Sequence, residues 1–279
     1  MAAVSSLQVG PPIEPPFPKV RRRGAPRRLV TFSIIAFGLL ALSGCRLSTF
    51  GQDPGATVQA QHENHLFQGF IVAGIAVGVI VFILIVWSIF AYRRKSDDMP
   101  KQTYEHIPLE ITYTIIPIII VIALFIATVV TENKVDAVSP NPAVKVTVIA
   151  YQWGWRFEYP NGVTVYSHDV TLGDTSTYPE LVLPVGETTQ ITLKSLDVVH
   201  GFYVRDFNFS RYAQPGVTNV FDLSIIRTGT FIGQCTQFCG LRHDTMLFRV
   251  LGVTPSQYQT WYASQNNSAS AASSAGGQS

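Results

Sequence analysis

The sequence predicts a membrane helical hairpin followed by an all-β sandwich or barrel domain, and three observations carry that prediction. Two uncharged runs, Leu66 to Tyr92 and Ile111 to Thr131, extend for 27 and 21 residues and lie close together. From about Ala143 the chain changes to short runs rich in β-branched and aromatic residues, broken by Gly, Pro, Asn and Asp. The composition agrees, since 47% of the 279 residues are hydrophobic and only 14% are charged, lean in charge for a soluble protein. The formal net charge of +2 argues against nucleic acid as a broad electrostatic partner.

The first 28 residues carry six Lys/Arg against one Glu and lead into an uncharged run of 16 residues, Leu29 to Gly44. A membrane helix needs about 20 apolar residues. A basic flank, a short apolar core and small residues at its end therefore read as a secretory signal over 1–44. The ending Leu42-Ser43-Gly44-Cys45 resembles the bacterial lipoprotein processing box, in which the cysteine is lipidated and becomes the mature N-terminus. A retained, uncleaved anchor is the alternative. Residues 45–65 are polar and read as a short exposed linker.

The hairpin covers 66–131. Both runs are long enough to cross hydrocarbon as helices, the first with tilt to spare. Two such runs so close together disfavour a buried core helix. The connecting loop, 93–110, opens with Arg93-Arg94-Lys95 and adds Lys101, so the positive-inside rule places it in the cytoplasm. Both the segment before the first span and everything after the second then lie on the extracytoplasmic side.

Residues 143–262 form the expected β domain. VKVTVIAYQWGWRFEY, VTVYSHDVTL, LVLPV, TTQITLKS, TNVFDLSII and MLFRVLGVT read as strands, at a spacing that suits a sandwich or barrel. SQYQTWYASQ reads as a short terminal helix, and the small, polar stretch 263–279 as a disordered tail. In YQWGWRFEYP, the residues Tyr151, Trp153, Trp155, Phe157 and Tyr159 alternate with polar residues or glycine. Period two places all five on one face of a strand, which fits a sandwich core, although five in a row is more than a core usually requires.

Two of the three cysteines lie in GQCTQFCGLRHDTM, where Cys235, Cys239, His243 and Met246 fall on a loop between two predicted strands. Thiolate and thioether are soft ligands, and imidazole suits copper, zinc or iron. A buried structural cysteine pair is the plain alternative, but four soft or borderline ligands in one loop make it a poor one. Zinc would accept two Cys and two His but seldom takes Met. A mononuclear blue-copper site needs only one thiolate, which leaves one over. Two thiolates bridging two coppers use every ligand if another histidine completes the set. His200, in SLDVVHGFYV beside an apolar strand, is preferred over His168, which sits in the polar YSHDV.

The segments Asp197-Val198-Val199-His200-Gly201-Phe202 and Cys235-Thr236-Gln237-Phe238-Cys239-Gly240-Leu241-Arg242-His243-Asp244-Thr245-Met246 resemble the DVxHxF/W segment and the C-x-E-x-C-G-x-x-H-x-x-M loop of the cytochrome c oxidase subunit 2 family. The resemblance covers about residues 60–262 and points to a bacterial haem-copper oxidase. It implies a cupredoxin-like Greek-key domain and a binuclear copper centre, CuA. Cys235 and Cys239 would bridge, with His200, His243, Met246 and the backbone carbonyl of Gln237 completing the set. The family usually carries Glu at position 237, whose carboxylate binds magnesium at the subunit interface. The neutral amide of Gln237 is a poorer ligand for a hard cation, which weighs against that magnesium site.

Two further roles come with the resemblance. The family's Q-W-x-W-x-[FY]-x-Y segment makes Trp153 the point where electrons arrive from cytochrome c. In HIPLEITYTIIPIII, Glu110, Thr114 and Pro117 match the family's E-x-x-W-T-x-x-P, with Tyr113 in place of Trp. That match implies Glu110 at the mouth of a proton path into the catalytic subunit, against the alternative of an interfacial carboxylate marking a helix end. The partners implied are the catalytic subunit 1, which holds the haem, other oxidase subunits, and a soluble or membrane-bound cytochrome c. The chain would sit in a bacterial cell membrane as a multi-pass protein with its copper domain on the extracytoplasmic side, inert as an oxidase by itself.

Competing readings are a copper-free quinol oxidase subunit, the CuA subunit of a related respiratory reductase, and a zinc-binding module. The intact ligand set speaks against the first, and the unexplained hairpin against a nitrous oxide reductase. Between Ala143 and Val253 there are nine acidic and eight basic residues. That balance leaves no acidic excess to steer a basic soluble cytochrome, so docking by apolar contact, or a donor held in the membrane, is expected.

Overall fold

The computed structural model describes residues 51–94, 99 and 102–275, with side chains through 267. The signal segment, Cys45 and residues 95–98, 100 and 101 of the basic loop lie outside the described residues. Helix α1, Val58–Ala91, opens at Thr57, whose Oγ1 accepts the Ala60 N–H at 3.0 Å, a satisfied N-cap. No charge interrupts the run after Glu63 until Arg93, and the 34-residue helix extends for about 50 Å. Helix α2, Ile107–Val135, begins with a reciprocal cap. His106 Nδ1 accepts from the Leu109 N–H at 3.3 Å, while Glu110 Oε1 accepts the His106 N–H at 2.9 Å, the arrangement of a capping box. Both helices carry large exposed apolar side chains, Phe82 and Phe125 each at 66%. A surface of that kind is covered by lipid or a partner chain.

Each helix is longer than its apolar run, because the flanking polar residues continue the helix outside the hydrocarbon. That corrects the expected exposed linker over its described part, residues 51–65. Ala56, Thr57 and Ala60 are fully buried, and Gln59 and Asn64 nearly so. Ala56 N–H donates to the Asp206 carbonyl at 2.7 Å, Ile226 N–H donates to the Ala56 carbonyl at 2.9 Å, and Ser224 N–H donates to Gln59 Oε1 at 3.2 Å. Small residues let this segment approach the β domain closely, and the Ala56 backbone and the Gln59 side chain find protein partners there. Polarity in the sequence marked hydrogen bonding, not exposure.

Among the described residues, ten strands form two five-stranded sheets. The first has the order β3-β2-β1-β5-β8, with β1 Val144–Tyr151, β2 Gly154–Glu158, β3 Thr164–Tyr166, β5 Thr188–Ser195 and β8 Asn219–Ser224. The second has the order β4-β10-β9-β6-β7, with β4 Glu180–Pro184, β6 His200–Val204, β7 Phe209–Ala213, β9 Gly229–Cys235 and β10 Leu247–Val253. β1 pairs with β5, and β4 with β10, in parallel; the other pairs are antiparallel. The mixed two-sheet sandwich agrees with the cupredoxin-like class expected. Alternation on β5 turns Thr189, Ile191 and Leu193 inward. The interior is aromatic: Trp155, Phe157 and Phe202 all pack on Phe248, with ring centroids 5.1, 5.8 and 5.0 Å away.

Three expectations change. The run VKVTVIAYQWGWRFEY is a hairpin, turning at Gln152–Trp153 with Tyr151 opposite Gly154, so the five aromatics do not share one strand face. Trp155, Phe157 and Tyr159 are buried core, whereas Trp153 sits half-buried in the turn. The run VTVYSHDVTL is a strand only at Thr164–Tyr166, since polar Ser167, His168 and Asp169 leave no apolar face to pack. The tail is helical as far as Ala275, in α3, Pro255–Ala275. Tyr258 anchors its first turns at 3% exposure, and the Ala-rich stretch that follows carries no Gly or Pro to stop propagation.

Phe248→Ala removes the ring on which three others converge. It should cost about 3–5 kcal/mol, read as a lowered urea midpoint at unchanged m-value in tryptophan fluorescence.

Candidate metal centre

Two sheet elements and one loop build the site. His200 is the first residue of β6, Cys235 the last of β9, and Cys239, His243 and Met246 lie on the β9–β10 connection. Antiparallel pairing sets Phe202 opposite Cys235, which brings His200 beside the thiol. Gly201 permits this approach, because a Cβ there would collide with Thr236 Oγ1 and lie 3.0 Å from the Gln237 amide nitrogen. Gly240 has φ +122°, a conformation side chains rarely adopt, and it faces the Trp153 ring.

The donor atoms converge. Cys235 Sγ lies 3.9 Å from Cys239 Sγ, 4.0 Å from His200 Nδ1 and 3.2 Å from the Gln237 carbonyl oxygen. Cys239 Sγ lies 3.5 Å from His243 Nδ1 and 3.3 Å from Met246 Sδ. A disulfide needs about 2.05 Å between sulfurs, and both cysteines are free. Metal–thiolate bonds run about 2.3 Å, so two thiols at this separation can both reach an ion lying between them. His200, Cys235, Cys239 and Met246 are buried, each at 5% exposure or less. Every ligand the sequence proposed is thus gathered here. His168 lies elsewhere, in a cleft with Tyr166, Glu180 and Arg249. Glu110 is at the far end of the hairpin, exposed, with its carboxylate engaged in the α2 cap.

The surroundings orient the donors. Asp197 Oδ1 is 2.8 Å from His200 Nε2, which leaves Nδ1 to face Cys235. Burial opposes ionisation of Cys235, yet hydrogen bonds from His200 and the Gly201 amide bring its pKa down to about 7. Burial and the neighbouring Cys235 charge push Cys239 up to about 12. One thiol of the pair therefore ionises readily, and the second is held protonated unless a cation replaces its proton.

Two contributors had no role assigned from sequence. Asp197 stood inside the DVxH segment, three residues before the histidine, which was the available signal. Gln152 gave none: its Nε2 donates to the Cys239 carbonyl at 2.7 Å, beside the Trp153 Nε1 donor to the same oxygen at 3.2 Å. Trp155 Nε1 donates to the Met246 carbonyl at 3.2 Å. Three side chains from one hairpin thereby hold the backbone of the metal loop.

A membrane-anchored β-sandwich with two thiols, two imidazoles and a thioether around one point defines a copper-binding redox domain; zinc seldom takes the thioether. Comparison with known proteins narrows the class. Residues 144–253 match the family model for the cytochrome c oxidase subunit II periplasmic domain, and residues 47–129 match that for its transmembrane domain. The cytochrome c oxidase subunit 2 of Mycobacterium bovis is 30% identical, over 84% of this chain and 81% of its own. That of Corynebacterium diphtheriae is 30% identical, over 91% and 89%. The solved periplasmic domain of subunit II from Bradyrhizobium japonicum is 24% identical with a TM-score of 0.43, covering 47% of this chain and 99% of that one. This chain belongs to the cytochrome c oxidase subunit 2 family, and its His/Cys/Cys cluster fits a CuA centre.

Asp197→Ala should weaken copper binding by about 10–100-fold, measured by competition with a chelator, while the fold persists by far-UV circular dichroism.

Proposed function

We propose that this chain is the electron-accepting subunit of a haem-copper oxidase in a bacterial cell membrane, with its β domain on the extracytoplasmic side. It receives electrons from cytochrome c and delivers them to the haem of the catalytic subunit, where oxygen is reduced to water with proton pumping. The observation that carries this is the pair of free, buried thiols 3.9 Å apart, with His200, His243, Met246 and the Gln237 carbonyl around them. Copper held there would supply a one-electron site, and the buried, hydrogen-bonded loop would keep rearrangement small when its charge changes.

The chain's own residues then divide the work. Cys235, Cys239, His200, His243, Met246 and the Gln237 carbonyl would together hold the copper. Asp197 keeps the His200 ring oriented. Trp153 connects the outside to the site, half-buried on one side and hydrogen-bonded to the Cys239 carbonyl on the other. On the metal loop, Phe238 and Leu241 stand 80% and 89% exposed, with the Phe238 ring against His243 at 5.9 Å. They supply apolar contact for a partner, in keeping with the lack of an acidic excess. Gln237 offers no carboxylate, so the family's magnesium ion is not assigned to it. Glu110 marks the start of a proton path into the catalytic subunit, the role it doubles with capping α2.

Trp153→Phe in the assembled oxidase should retain two coppers per chain and the mixed-valence purple spectrum while slowing electron arrival from reduced cytochrome c. A chain that binds no copper, or a variant with unaltered rapid kinetics, would remove the centre or the tryptophan from the path respectively. Glu110→Gln keeps an acceptor suited to the α2 cap and removes only the ionisable group. Proton uptake during turnover should fall with helix content unchanged, and equal uptake would leave Glu110 as a cap alone.

A further inference from the structure

A cavity of about 600 Å³ lies where α1, α2 and β7 meet, at the end of the hairpin nearest the β domain. Two facing helix stripes line it: Glu63, Leu66, Phe67 and Phe70 on α1, and Thr128, Thr131, Glu132 and Val135 on α2, each spaced as one helical face. The stripes divide the cavity into two zones. Leu66, Phe67 and Phe70 make an apolar floor running along the hairpin. Glu63, Glu132, Asp136 and Arg211 make a charged rim.

The position of that boundary matters. Helix α1 is 34 residues long, about 50 Å against roughly 30 Å of hydrocarbon, so the first turns stand clear of the apolar layer. The uncharged run begins at Leu66, so length and composition put the start of the apolar layer between Glu63 and Phe70. The rim carries three carboxylates and one guanidinium. Arg211 is ion-paired to Asp136 and lies 4.4 Å over the Phe209 ring, so Glu132 sets the excess of negative charge, and the Glu63 carboxyl adds two further acceptor oxygens beside it. Gln52 adds Oε1, an acceptor shielded from solvent and without a hydrogen-bond partner. An acceptor-rich, acidic rim above an apolar groove complements a cation joined to a hydrocarbon chain.

We infer that this cavity holds a phospholipid with a primary ammonium headgroup, of the phosphatidylethanolamine type. The ammonium sits among Glu63, Glu132 and Gln52, the phosphate faces Arg211, and one acyl chain follows Leu66, Phe67 and Phe70 down the groove. A basic side chain of the catalytic subunit matches the rim charge but makes no use of the apolar floor. An anionic glycerol headgroup meets like charge. Such a lipid fills the gap between hairpin and β domain and ties the copper domain's orientation to the bilayer.

The test is native mass spectrometry of the full chain from detergent, with equal amounts of dioleoyl phosphatidylethanolamine and dioleoyl phosphatidylglycerol. The ethanolamine lipid should be retained preferentially, free phosphoethanolamine should not bind, and Glu63→Gln/Glu132→Gln should reduce retention on the order of fivefold. If the double variant loses the parent's far-UV spectrum, Glu132→Gln alone, on an exposed helix position, is read in its place. Equal retention of the two lipids overturns the inference, as does retention unaffected by the variants. A cross-link from Glu63 to a lysine of the catalytic subunit, in an assembled oxidase free of the lipid, also overturns it by assigning the cavity to the partner. Copper content is irrelevant to each readout, so this inference fails or stands separately from the electron-transfer reading.

Discussion

Two sulfur atoms held 3.9 Å apart are the constraint on which the rest of the molecule depends. Closer, they would oxidise to a disulfide; farther apart, they could not share metal ions. A free loop of this length would sample both. Here its ends are fixed by β9 and β10, whose antiparallel register runs from Leu247 opposite Gln234 to Gly252 opposite Gly229. Its middle is fixed by the carbonyls of Cys239 and Met246, which accept from Gln152, Trp153 and Trp155. The Trp155 bond is buried and costly to break, the other two are partly shielded, and the resulting rigidity keeps rearrangement small when a bound centre changes charge.

The aromatic interior serves the same end. Trp155 contacts the His200 ring edge-on at 6.4 Å and packs on Phe248 at 5.1 Å, while Phe202, two residues after His200, stacks on Phe248 at 5.0 Å. The residues that position the ligands are therefore continuous with the core, and stability and site geometry are not separable on this side of the domain. At the opposite end, residues 56–60 and the Asp136–Arg211 pair clamp both helices to the sheets. A domain that exchanges electrons with a membrane-embedded partner needs that fixed orientation, because transfer weakens steeply with distance.

Much of this was legible from residues alone where a single physical period governed. Uninterrupted apolar runs announced the two helices, and the spacing of Cys235, Cys239, His243 and Met246 announced a loop of soft ligands. Legibility failed where polarity or alternation had two meanings. The polar residues Thr57, Gln59 and Asn64 looked solvated, yet they are buried against the sheets. The alternating aromatics of YQWGWRFEYP looked like one strand, yet a turn at Gln152–Trp153 separates the core residues from the one beside the metal loop. Gln152 itself carried no pattern, because its partner is a backbone carbonyl 87 residues away in sequence.

By itself the sequence determined the chemistry: which donors exist, that they are soft or borderline, that four of them sit on one loop, and that two helices carry the domain at a membrane. Local composition and short spacing suffice for those properties. Only the tertiary structure decided how far apart the thiols stand. It also decided which side chains hold the loop and where the hairpin meets the sheets. Each of these depends on strand register and on contacts between residues distant in the chain, and no local pattern encodes such distances.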